Sequence, residues 1–152
     1  MRESVKSLKI EEENAQLRNE LQYFKKKETS TTEKVIENSD ELFEQIMELF
    51  EKEKIFLEKD ITINKIAELL KSNRTYISNI INIKAGISFV TLLNQYRIRE
   101  AKKMLIDDAN NMLTLDAIGK TAGFNSTSTF NRVFKIETGV TPSFFVKNKS
   151  NA

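Results

Sequence analysis

The feature that most constrains this chain is a repeated unit in its C-terminal part. The stretch ITINKIAELLKSNRTYISNIINIKAGIS can be aligned with LTLDAIGKTAGFNSTSTFNRVFKIETGVT. The first matched pairs, Thr62/Thr114, Ile66/Ile118 and Asn73/Asn125, are 52 residues apart, and the later pairs, Ile77/Phe130, Ile81/Phe134, Gly86/Gly139 and Ser88/Thr141, are 53 apart. One residue inserted in the second copy explains this change. Two copies are too few for a solenoid, so the sequence predicts a duplicated module.

Each copy has the pattern of two short helices joined by a tight turn. Thr62 and Thr114 are placed to cap the first helix, and Asn73 and Asn125 are placed to cap the second. Apolar residues recur in the second helix with i, i+3, i+4 spacing. They are Ile77, Ile80 and Ile81 in the first copy and Phe130, Val133 and Phe134 in the second. This arrangement predicts a helix-turn-helix, whose second helix enters the major groove of DNA.

The segment between the copies, from Ser88 to about Asp107, predicts one long helix. Its periodic apolar residues are Phe89, Leu92, Leu93, Tyr96, Ala101, Met104 and Leu105. A helix of this length extends about 30 Å, close to the roughly 34 Å of one turn of duplex DNA. Such a helix can hold two helix-turn-helix units on successive major grooves.

The composition favours an all-α protein and argues against an enzyme. With 4 Gly and 1 Pro in 152 residues, long helices are expected and a sheet is hard to place. The chain has no Cys and no His, so disulfides, thiolate nucleophiles and the commonest general base are excluded. The other acid–base candidates, Tyr76, Glu100 and Asp116, are scattered along the chain. We therefore expect neither catalysis nor a bound metal or cofactor.

The charges are unevenly distributed, although the net charge is only +2. Residues 39–60 contain eight acidic and three basic side chains, a balance of −5. Residues 61–152 contain thirteen basic and six acidic side chains, a balance of +7. A basic region behind an acidic helix suits a polyanionic partner, and an ordinary solvated surface is the alternative.

The first 28 residues predict a polar helix with a weak heptad pattern. Position a holds Ser7, Asn14 and Leu21, and position d holds Ile10, Leu17 and Phe24. The g-to-e pairs Lys6–Glu11, Glu13–Arg18 and Glu20–Lys25 have opposite charges, as a parallel two-stranded coiled coil requires between chains. With only three heptads and only one apolar side chain at position a, the stability of such a coiled coil would be marginal. Dimerisation through residues 7–27 and a solitary solvated helix therefore stay open as alternatives.

Residues 29–38 predict a linker, because KETSTTEK interrupts the heptad pattern with hydroxyl side chains. Asn38 and Ser39 are candidate caps of a new helix that ends near Lys54. The apolar stripe of that helix is Leu42, Ile46, Leu49 and Phe50. The predicted organisation is therefore a helix at residues 1–28, a linker at 29–38 and a DNA-binding domain at 39–148.

The outward faces of the two second helices carry side chains suited to reading bases. They are Arg74, Thr75, Ser78, Asn79 and Asn82 in the first copy and Ser126, Thr127, Ser128, Asn131, Arg132 and Lys135 in the second. Arg can bond to guanine through two N–H groups, Asn can pair with adenine, and Ser and Thr adapt to either base. Neither set contains an acidic residue. Each side chain taken singly can be an ordinary solvated residue, and it is the repetition that favours a DNA-binding face.

Candidate phosphate contacts flank these faces. The helix starts at Thr62 and Thr114 offer free N–H groups to a phosphate. The side-chain candidates are Lys65, Lys84, Arg97, Arg99, Lys102, Lys103, Lys120, Ser126 and Lys135. Contacts of this kind position a protein on DNA without specifying sequence. For Arg97, packing or an ion pair within the middle helix is the alternative.

Residues from about 42 to 147 resemble the DNA-binding domain of the AraC/XylS family of bacterial transcription regulators. The stretches that carry the resemblance are INKIAELLKSNRTYISNIIN, NQYRIREAKKMLID and LDAIGKTAGFNSTSTFNRVFKIETGVTPSFF. The last is the most specific, with its Gly-Phe pair, its Arg-x-Phe-Lys and its Gly-x-Thr-Pro followed by aromatic residues.

The resemblance implies a seven-helix domain with two helix-turn-helix units joined by a long helix. It implies that the base-reading positions are Arg74, Thr75, Ser78 and Asn79 in the first unit and Thr127, Ser128, Asn131 and Arg132 in the second. It also implies that Gly123 and Phe124 form the second turn, and that Pro142, Phe144 and Phe145 start and anchor the last helix.

The chain departs from the family pattern at two places. Lys71-Ser72-Asn73 replaces a glycine often found in the first turn, and Asn can adopt a left-handed backbone there. Gly119 stands where the first copy has Ala67, which is expected to weaken that helix by roughly 1 kcal/mol.

The expected partners are double-stranded DNA, a second copy of the chain and RNA polymerase, and no small-molecule ligand is evident. No apolar run approaches the ~20 residues of a membrane span, and we expect a cytoplasmic, nucleoid-associated protein. The N-terminal helix also resembles the tail of a longer regulator with a membrane segment upstream. A nonspecific DNA-compacting protein and a helical protein-interaction module are the alternative functions.

Overall fold

The computed structural model describes residues 2–108 and 111–149, and every regular element in these ranges is helical. The elements are α1 (Arg2–Glu51), a 3-10 turn (Ile55–Leu57), α2 (Ile63–Leu69), α3 (Arg74–Ala85), α4 (Phe89–Asp107), α5 (Leu115–Thr121), α6 (Thr127–Thr138) and α7 (Pro142–Asn148). The predicted all-α class and the two helix-turn-helix units joined by a long helix are confirmed. No single helix in these ranges is long and apolar enough to cross a membrane, and only α3 and α4 taken together, across a 63° bend, have the length and composition to do so.

The chain divides into two compact units, residues 1–41 and 42–152. In the first unit, every side chain from residue 3 to residue 38 is exposed. The second unit contains the buried core and both copies of the repeat.

The break predicted at residues 29–38 is wrong, because these residues lie within α1. The hydroxyl groups of Thr29, Thr31 and Thr32 donate to the carbonyl oxygens four residues earlier, at 2.7–2.8 Å. The Ser39 hydroxyl likewise donates to the carbonyl of Ile36 at 2.8 Å instead of capping a new helix. Since each hydroxyl bonds backwards along the helix, this hydroxyl-rich stretch continues the helix rather than ending it.

The first helix-turn-helix consists of α2 and α3, and its predicted caps are confirmed. The side chain of Thr62 accepts a hydrogen bond from the Lys65 amide, and that of Asn73 accepts one from the Tyr76 amide. The left-handed residue in the turn is Lys71, with φ 51°, whereas Asn73 is extended. Asn73 is therefore used as a cap and not as a substitute for the missing glycine.

The second helix-turn-helix consists of α5 and α6. Ser126 caps α6, so the prediction that Asn125 is the cap is wrong. The side chain of Ser126 accepts a hydrogen bond from the Thr129 amide at 3.2 Å. As a result α3 and α6 are both 12 residues long at an offset of 53, whereas α2 and α5 are both 7 residues long at an offset of 52. The inserted residue therefore lies in the turn. Gly123, at φ 103°, forms this turn and Phe124 is buried next to it, as the resemblance implied.

The long helix α4 is shared by two hydrophobic cores. Its residues up to Tyr96 pack in the core of the first helix-turn-helix, and those from Ile98 pack in the core of the second. Ser88 caps the start of α4, as the predicted boundary required. Two small cores on one helix give the second unit its division into two halves.

The last helix, α7, is anchored by one of its two predicted aromatic residues. Pro142 is its first residue and is buried, and Thr141 caps it. The ring of Phe145 packs edge-on against Phe134 with centroids 5.6 Å apart. Phe144 is exposed, so its predicted role as an anchor is wrong. The side chains of consecutive helical residues point in different directions, and only Phe145 faces the core.

Candidate nucleic-acid interface

The predicted reading face of α3 is accessible. Arg74, Thr75, Asn79 and Asn82 are exposed, and Ser78 is half-buried. The helix is held in place from its other side, where the three inward isoleucines are buried in the first core. The geometry therefore leaves a polar ridge that can enter a groove without disturbing the core.

The predicted reading face of α6 is also accessible, with one exception. Ser128, Asn131, Arg132 and Lys135 are exposed. Thr127 is half-buried, and its hydroxyl donates a hydrogen bond to the carboxylate of Asp116 in α5. Because Thr127 has only one hydroxyl proton, it can offer DNA an acceptor or its methyl group but not a donor.

The sequence indicated Asp116 only as a scattered acid–base candidate, and its position beside α6 was not predicted. Its carboxylate pairs with Lys120 at 2.8 Å and lies against the start of α6, so the second reading face has an acidic neighbour that was not expected. The Lys120 ammonium, followed by the Thr127 hydroxyl, lowers the pKa of the Asp116 carboxyl. The available signal was the i, i+4 spacing of Asp116 and Lys120, which places both on one side of α5.

A pair of exposed isoleucines was also missed. Ile83 in α3 is 79% exposed and Ile136 in α6 is 68% exposed. They occupy the same position of their helices, 53 residues apart. A side chain of this type next to a polar face can contact the methyl group of thymine.

Three predicted phosphate contacts are cap residues. The hydroxyls of Thr62 and Thr114 accept hydrogen bonds from Lys65 and Ala117 amides at 3.3 and 3.1 Å, and Ser126 bonds to Thr129 in the same way. All three caps are exposed. The amides they cover are among the groups that a phosphate would otherwise approach.

The predicted basic contacts are exposed, with Arg97 as the exception. Lys65, Arg99 and Lys135 are exposed, as are Lys84, Lys102, Lys103 and Lys120. The Lys65 ammonium is 3.3 Å from a Glu58 carboxylate oxygen, and the Arg99 guanidinium carbon is 4.7 Å from the centre of the Tyr96 ring. The Lys65–Glu58 ion pair is at the surface, where such pairs are weak enough to be exchanged for a phosphate.

The structure contradicts the prediction that Arg97 contacts a phosphate. Arg97 is only 7% exposed, and its guanidinium donates to the carbonyl oxygens of Phe56 and Glu58. Burial lowers the pKa of this guanidinium from its usual value. The alternative role, packing within the middle helix, fits its position.

No cluster of three or more acidic residues that could hold a metal ion occurs in the part of the chain that the structure describes. The polar groups that the two reading faces expose are hydroxyl, amide, guanidinium and ammonium groups. Groups of these kinds bind nucleic acids by hydrogen bonding and charge.

A family model described as a helix-turn-helix domain matches residues 66–148 of this chain. A curated relative, an uncharacterized HTH-type transcriptional regulator YtdP of Bacillus subtilis, is 30% identical over 92 residues, which are 60% of this chain and 12% of that protein. The chain thus spans only about an eighth of the length of this relative.

Two of the solved structures that are similar to the chain are C-terminal domains of response regulators. One is the C-terminal domain of AraT, a response regulator from Geobacillus stearothermophilus, with 29% identity, a TM-score of 0.58 and coverage of 62% of this chain and 76% of that one. The other is the C-terminal domain of the two-component response regulator yesN from Fusobacterium nucleatum, with 26% identity, a TM-score of 0.59 and coverage of 72% and 98%.

Proposed function

The chain belongs to the helix-turn-helix domain family, in its AraC-type form, and from this premise we propose that it binds double-stranded DNA in a sequence-specific manner and regulates bacterial transcription. The domain that binds would be residues 39–148. The names of its relatives, a transcriptional regulator and two response regulators, agree with this role.

The observation that carries the proposal is the pair of exposed polar ridges at equivalent positions of α3 and α6. Each ridge lies opposite the buried stripe of its helix, so it is available to DNA while the fold stays intact. An arginine stands on each, Arg74 on the first and Arg132 on the second, together with an asparagine, Asn79 or Asn131. Arginine and asparagine are the side chains that best discriminate guanine and adenine in the major groove.

The length of α4 supports simultaneous binding by both units. Its 19 residues extend about 28 Å, near the roughly 34 Å that separates successive major grooves on one face of a duplex. The base-reading positions proposed are the eight residues implied by the family resemblance. Arg74 and Arg132 would read guanine, Thr127 would offer its acceptor or methyl group, and Ile83 and Ile136 would add apolar contacts to thymine.

Three further elements of the proposal concern partners and location. A second copy of the chain would pair through residues 7–27, where the d-position side chains Ile10, Leu17 and Phe24 are exposed. RNA polymerase would be the partner that converts binding into regulation. Because the ligand is the bacterial chromosome, the domain would work in the cytoplasm at the nucleoid.

The experiment that tests the function is selection of bound duplexes from a random library at a stated salt concentration, since affinity for DNA depends strongly on salt. We expect a consensus with two blocks separated by about one helical turn. A bound pool with no consensus would instead favour nonspecific compaction. Failure to retain DNA at all, with full binding of a protein partner by residues 1–60, would favour a helical interaction module.

A paired substitution then separates base reading from phosphate contact. Arg132→Ala should weaken binding to the selected site by about tenfold or more while changing binding to random DNA little, because a bidentate contact discriminates by about 1–3 kcal/mol. Lys135→Ala on the same helix is the matched control and should weaken both equally. Equal losses for Arg132→Ala on both DNAs would assign Arg132 to the phosphates.

A further inference from the structure

We propose that Arg97 is a positioning residue that fixes the orientation of the two helix-turn-helix units relative to each other and thereby sets the spacing between the two DNA blocks that the chain recognises. This inference rests on the proposed function for its DNA consequence. Its structural part, the fixed orientation, stands independently of DNA.

The position of Arg97 on α4 is the first argument. The residues of α4 on its N-terminal side, up to Tyr96, belong to the first core, and those on its C-terminal side, from Ile98, belong to the second. Arg97 lies between the two cores and belongs to neither. Among the residues that the structure describes, it is the one charged side chain that is buried.

The contacts of Arg97 join the two halves. Its Nε donates to the carbonyl oxygen of Phe56 at 2.7 Å, and its Nη2 donates to that of Glu58 at 2.8 Å. Phe56 is buried in the first core. The guanidinium carbon also lies 5.7 Å from the ring centre of Phe124, in the turn of the second helix-turn-helix. One side chain therefore contacts the segment before the first unit and the turn of the second.

Gly123 shows how closely the two halves approach at this point. A Cβ atom built on Gly123 would lie 2.5 Å from the carbonyl oxygen of Phe56 and 2.8 Å from Nε of Arg97. Its φ of 103° adds to the strain that a side chain would face. The turn of the second helix-turn-helix thus lies against the Phe56 carbonyl, which also accepts a hydrogen bond from Arg97.

The segment around Phe56, to which Arg97 is hydrogen-bonded, is also held against α4 by contacts of its own. The ammonium of Lys54 lies 3.2 Å from the carboxylate of Glu100, and the hydroxyl of Tyr96 donates to Glu51. These contacts hold the segment around the 3-10 turn against α4 on both sides of Arg97. Arg97 and Gly123 extend the same attachment to the second half.

The chemistry of arginine at this site favours a role in geometry over one in stability. Burying a guanidinium is unfavourable, and a well-packed apolar side chain of similar size is often as stable or more so. The planar guanidinium, however, bonds to two carbonyl oxygens in a fixed arrangement, which an apolar side chain cannot reproduce. Loss of these bonds should therefore loosen the relative orientation of the units.

The first test measures the relative orientation of α3 and α6 directly, in the 152-residue chain without DNA. Because the chain has no cysteine, the double variant N82C/K135C provides two unique labelling sites at equivalent exposed positions of α3 and α6. Pulsed electron spin resonance on spin-labelled chain, diluted with unlabelled chain, gives the distance distribution between the sites. We expect a single narrow distribution that becomes broad or shifted when Arg97→Met is added. Arg99→Met, an exposed arginine on the same helix, is the matched control and should leave the distribution narrow.

The second test measures the DNA consequence with unlabelled chain. The wild-type protein should bind the selected site more tightly than the same site with its two blocks moved apart or together by two base pairs. Arg97→Met should lose about tenfold of affinity for the original site and most of this discrimination, while its affinity for one isolated block stays within about twofold, because only the coupling of two binding events is affected.

The outcomes separate this inference from the proposed function. If the wild-type chain selects no sequence, the proposed function fails, and the spin-label distances alone decide on Arg97. The inference is overturned if the wild type discriminates spacing and Arg97→Met, with an unchanged helix content by circular dichroism, shows the same distance distribution and the same discrimination. Arg97→Lys, which keeps the charge but not the paired donors, replaces Arg97→Met should the latter not fold, and it faces the same criteria.

Discussion

At the scale of single residues, Gly119 explains how the two copies of the repeat fill similar cores with different side chains. A Cβ atom on Gly119 would lie 2.8 Å from Cγ of Phe130. The equivalent residues of the first copy are Ala67 and Ile77, both buried. The larger ring of the second copy is thus matched by the smaller residue opposite it, and the glycine that weakens helix α5 is required by packing.

This pairing predicts that Gly119→Ala destabilises the domain. Overpacking against a buried ring costs about 1–3 kcal/mol, and the better helix propensity of alanine returns about 1 kcal/mol, so we expect a net loss of up to about 2 kcal/mol in the free energy of unfolding. Chemical denaturation measures it. In the background of Phe130→Ile, which restores the residue pair of the first copy, Gly119→Ala should be neutral or stabilising. A cycle without coupling between the two sites would show that the ring does not limit this position.

Asp108 predicts an acid-sensitive connection between α4 and α5. Its carboxylate accepts hydrogen bonds from the amides of Leu113 at 2.9 Å and Met112 at 3.0 Å. The Leu113 amide first, together with the Met112 amide and the charge of Lys149, lowers the pKa of the Asp108 carboxyl. A carboxyl with a lowered pKa in the folded state stabilises the fold above its ordinary value of about 3.9 and stops doing so as the pH falls through the folded value.

The measurement compares melting temperatures of the wild type and Asp108→Asn between about pH 2.5 and 7. We expect the variant to melt lower above about pH 5 and the difference to vanish at the acidic end, where the wild-type carboxyl is protonated too. Asp107→Asn, the exposed neighbour on the chain, is the matched control. A constant difference at every pH would mean that the charge of Asp108 is not what holds the loop.

The sequence predicted most of the reading-face residues as outward-facing, because the repeat and the helical period alone decide which side of α3 and α6 faces the core. It could not predict the role of Arg97 or the contact between Asp116 and Thr127. Both depend on residues brought together from distant parts of the chain, 41 positions apart for Arg97 and Phe56 and 11 for Asp116 and Thr127. Periodicity reports burial, but it carries no information on such partners.

At the scale of secondary-structure elements, the caps locate the one real difference between the two copies. Each second helix begins at a side chain that accepts an amide hydrogen bond, Asn73 for α3 and Ser126 for α6. The alignment by residue type paired Asn73 with Asn125. The structure pairs it with Ser126, since the added residue lies before the cap and lengthens the turn.

The cap assignment predicts unequal effects of two neighbouring substitutions. Ser126→Ala should lower the free energy of unfolding by about 1 kcal/mol, because the Thr129 amide loses its side-chain acceptor. Asn125→Ala should change it by less than about 0.5 kcal/mol, as for most exposed positions outside such features. Thermal or denaturant unfolding of the free protein is sufficient. The reverse order of effects would restore Asn125 as the cap.

The continuous helix α1 shows where reasoning from residue type fails for an element. Serine and threonine are common in linkers and at helix starts, and on that basis residues 29–38 were expected to interrupt the helix. The same hydroxyls can bond to the carbonyl four residues earlier, and three threonines here do so. Composition alone does not distinguish these two uses of one side chain.

At the scale of the whole molecule, the architecture followed from the sequence because the duplication restricts the choice of folds. Two helix-turn-helix units and a helix of suitable length between them leave few ways to bury the apolar stripes. The structure agrees on the order of elements and on the shared role of α4. The relative orientation of the two halves, by contrast, depends on the contacts of Arg97 and Gly123. No pattern in the sequence predicts these contacts.

The whole chain is predicted to form a dimer through its N-terminal helix. If residues 7–27 pair as a parallel coiled coil, sedimentation at tens of micromolar should show a dimer, and Leu17→Glu at position d should convert it to a monomer, because a buried unpaired charge at the seam is strongly unfavourable. Leu8→Glu, at position b outside the seam, should leave the dimer intact. Both side chains are exposed in the single chain, so neither change should affect the fold of the domain. A wild-type monomer at these concentrations, or equal behaviour of the two variants, would contradict pairing through this seam.

The contact of Gly123 and Arg97 with the Phe56–Glu58 backbone has a practical consequence for anyone building chimeras from regulators of this kind. The two halves look like interchangeable modules, yet a half transplanted from a relative would bring a turn shaped for a different surface. A graft that exchanges only α5 to α7 should inherit the donor's base preferences and still misplace them. Transferring the donor's residues 56–58, Arg97 and the turn at Gly123 together with α5 to α7 would exchange the base preferences and keep the relative orientation of the two halves.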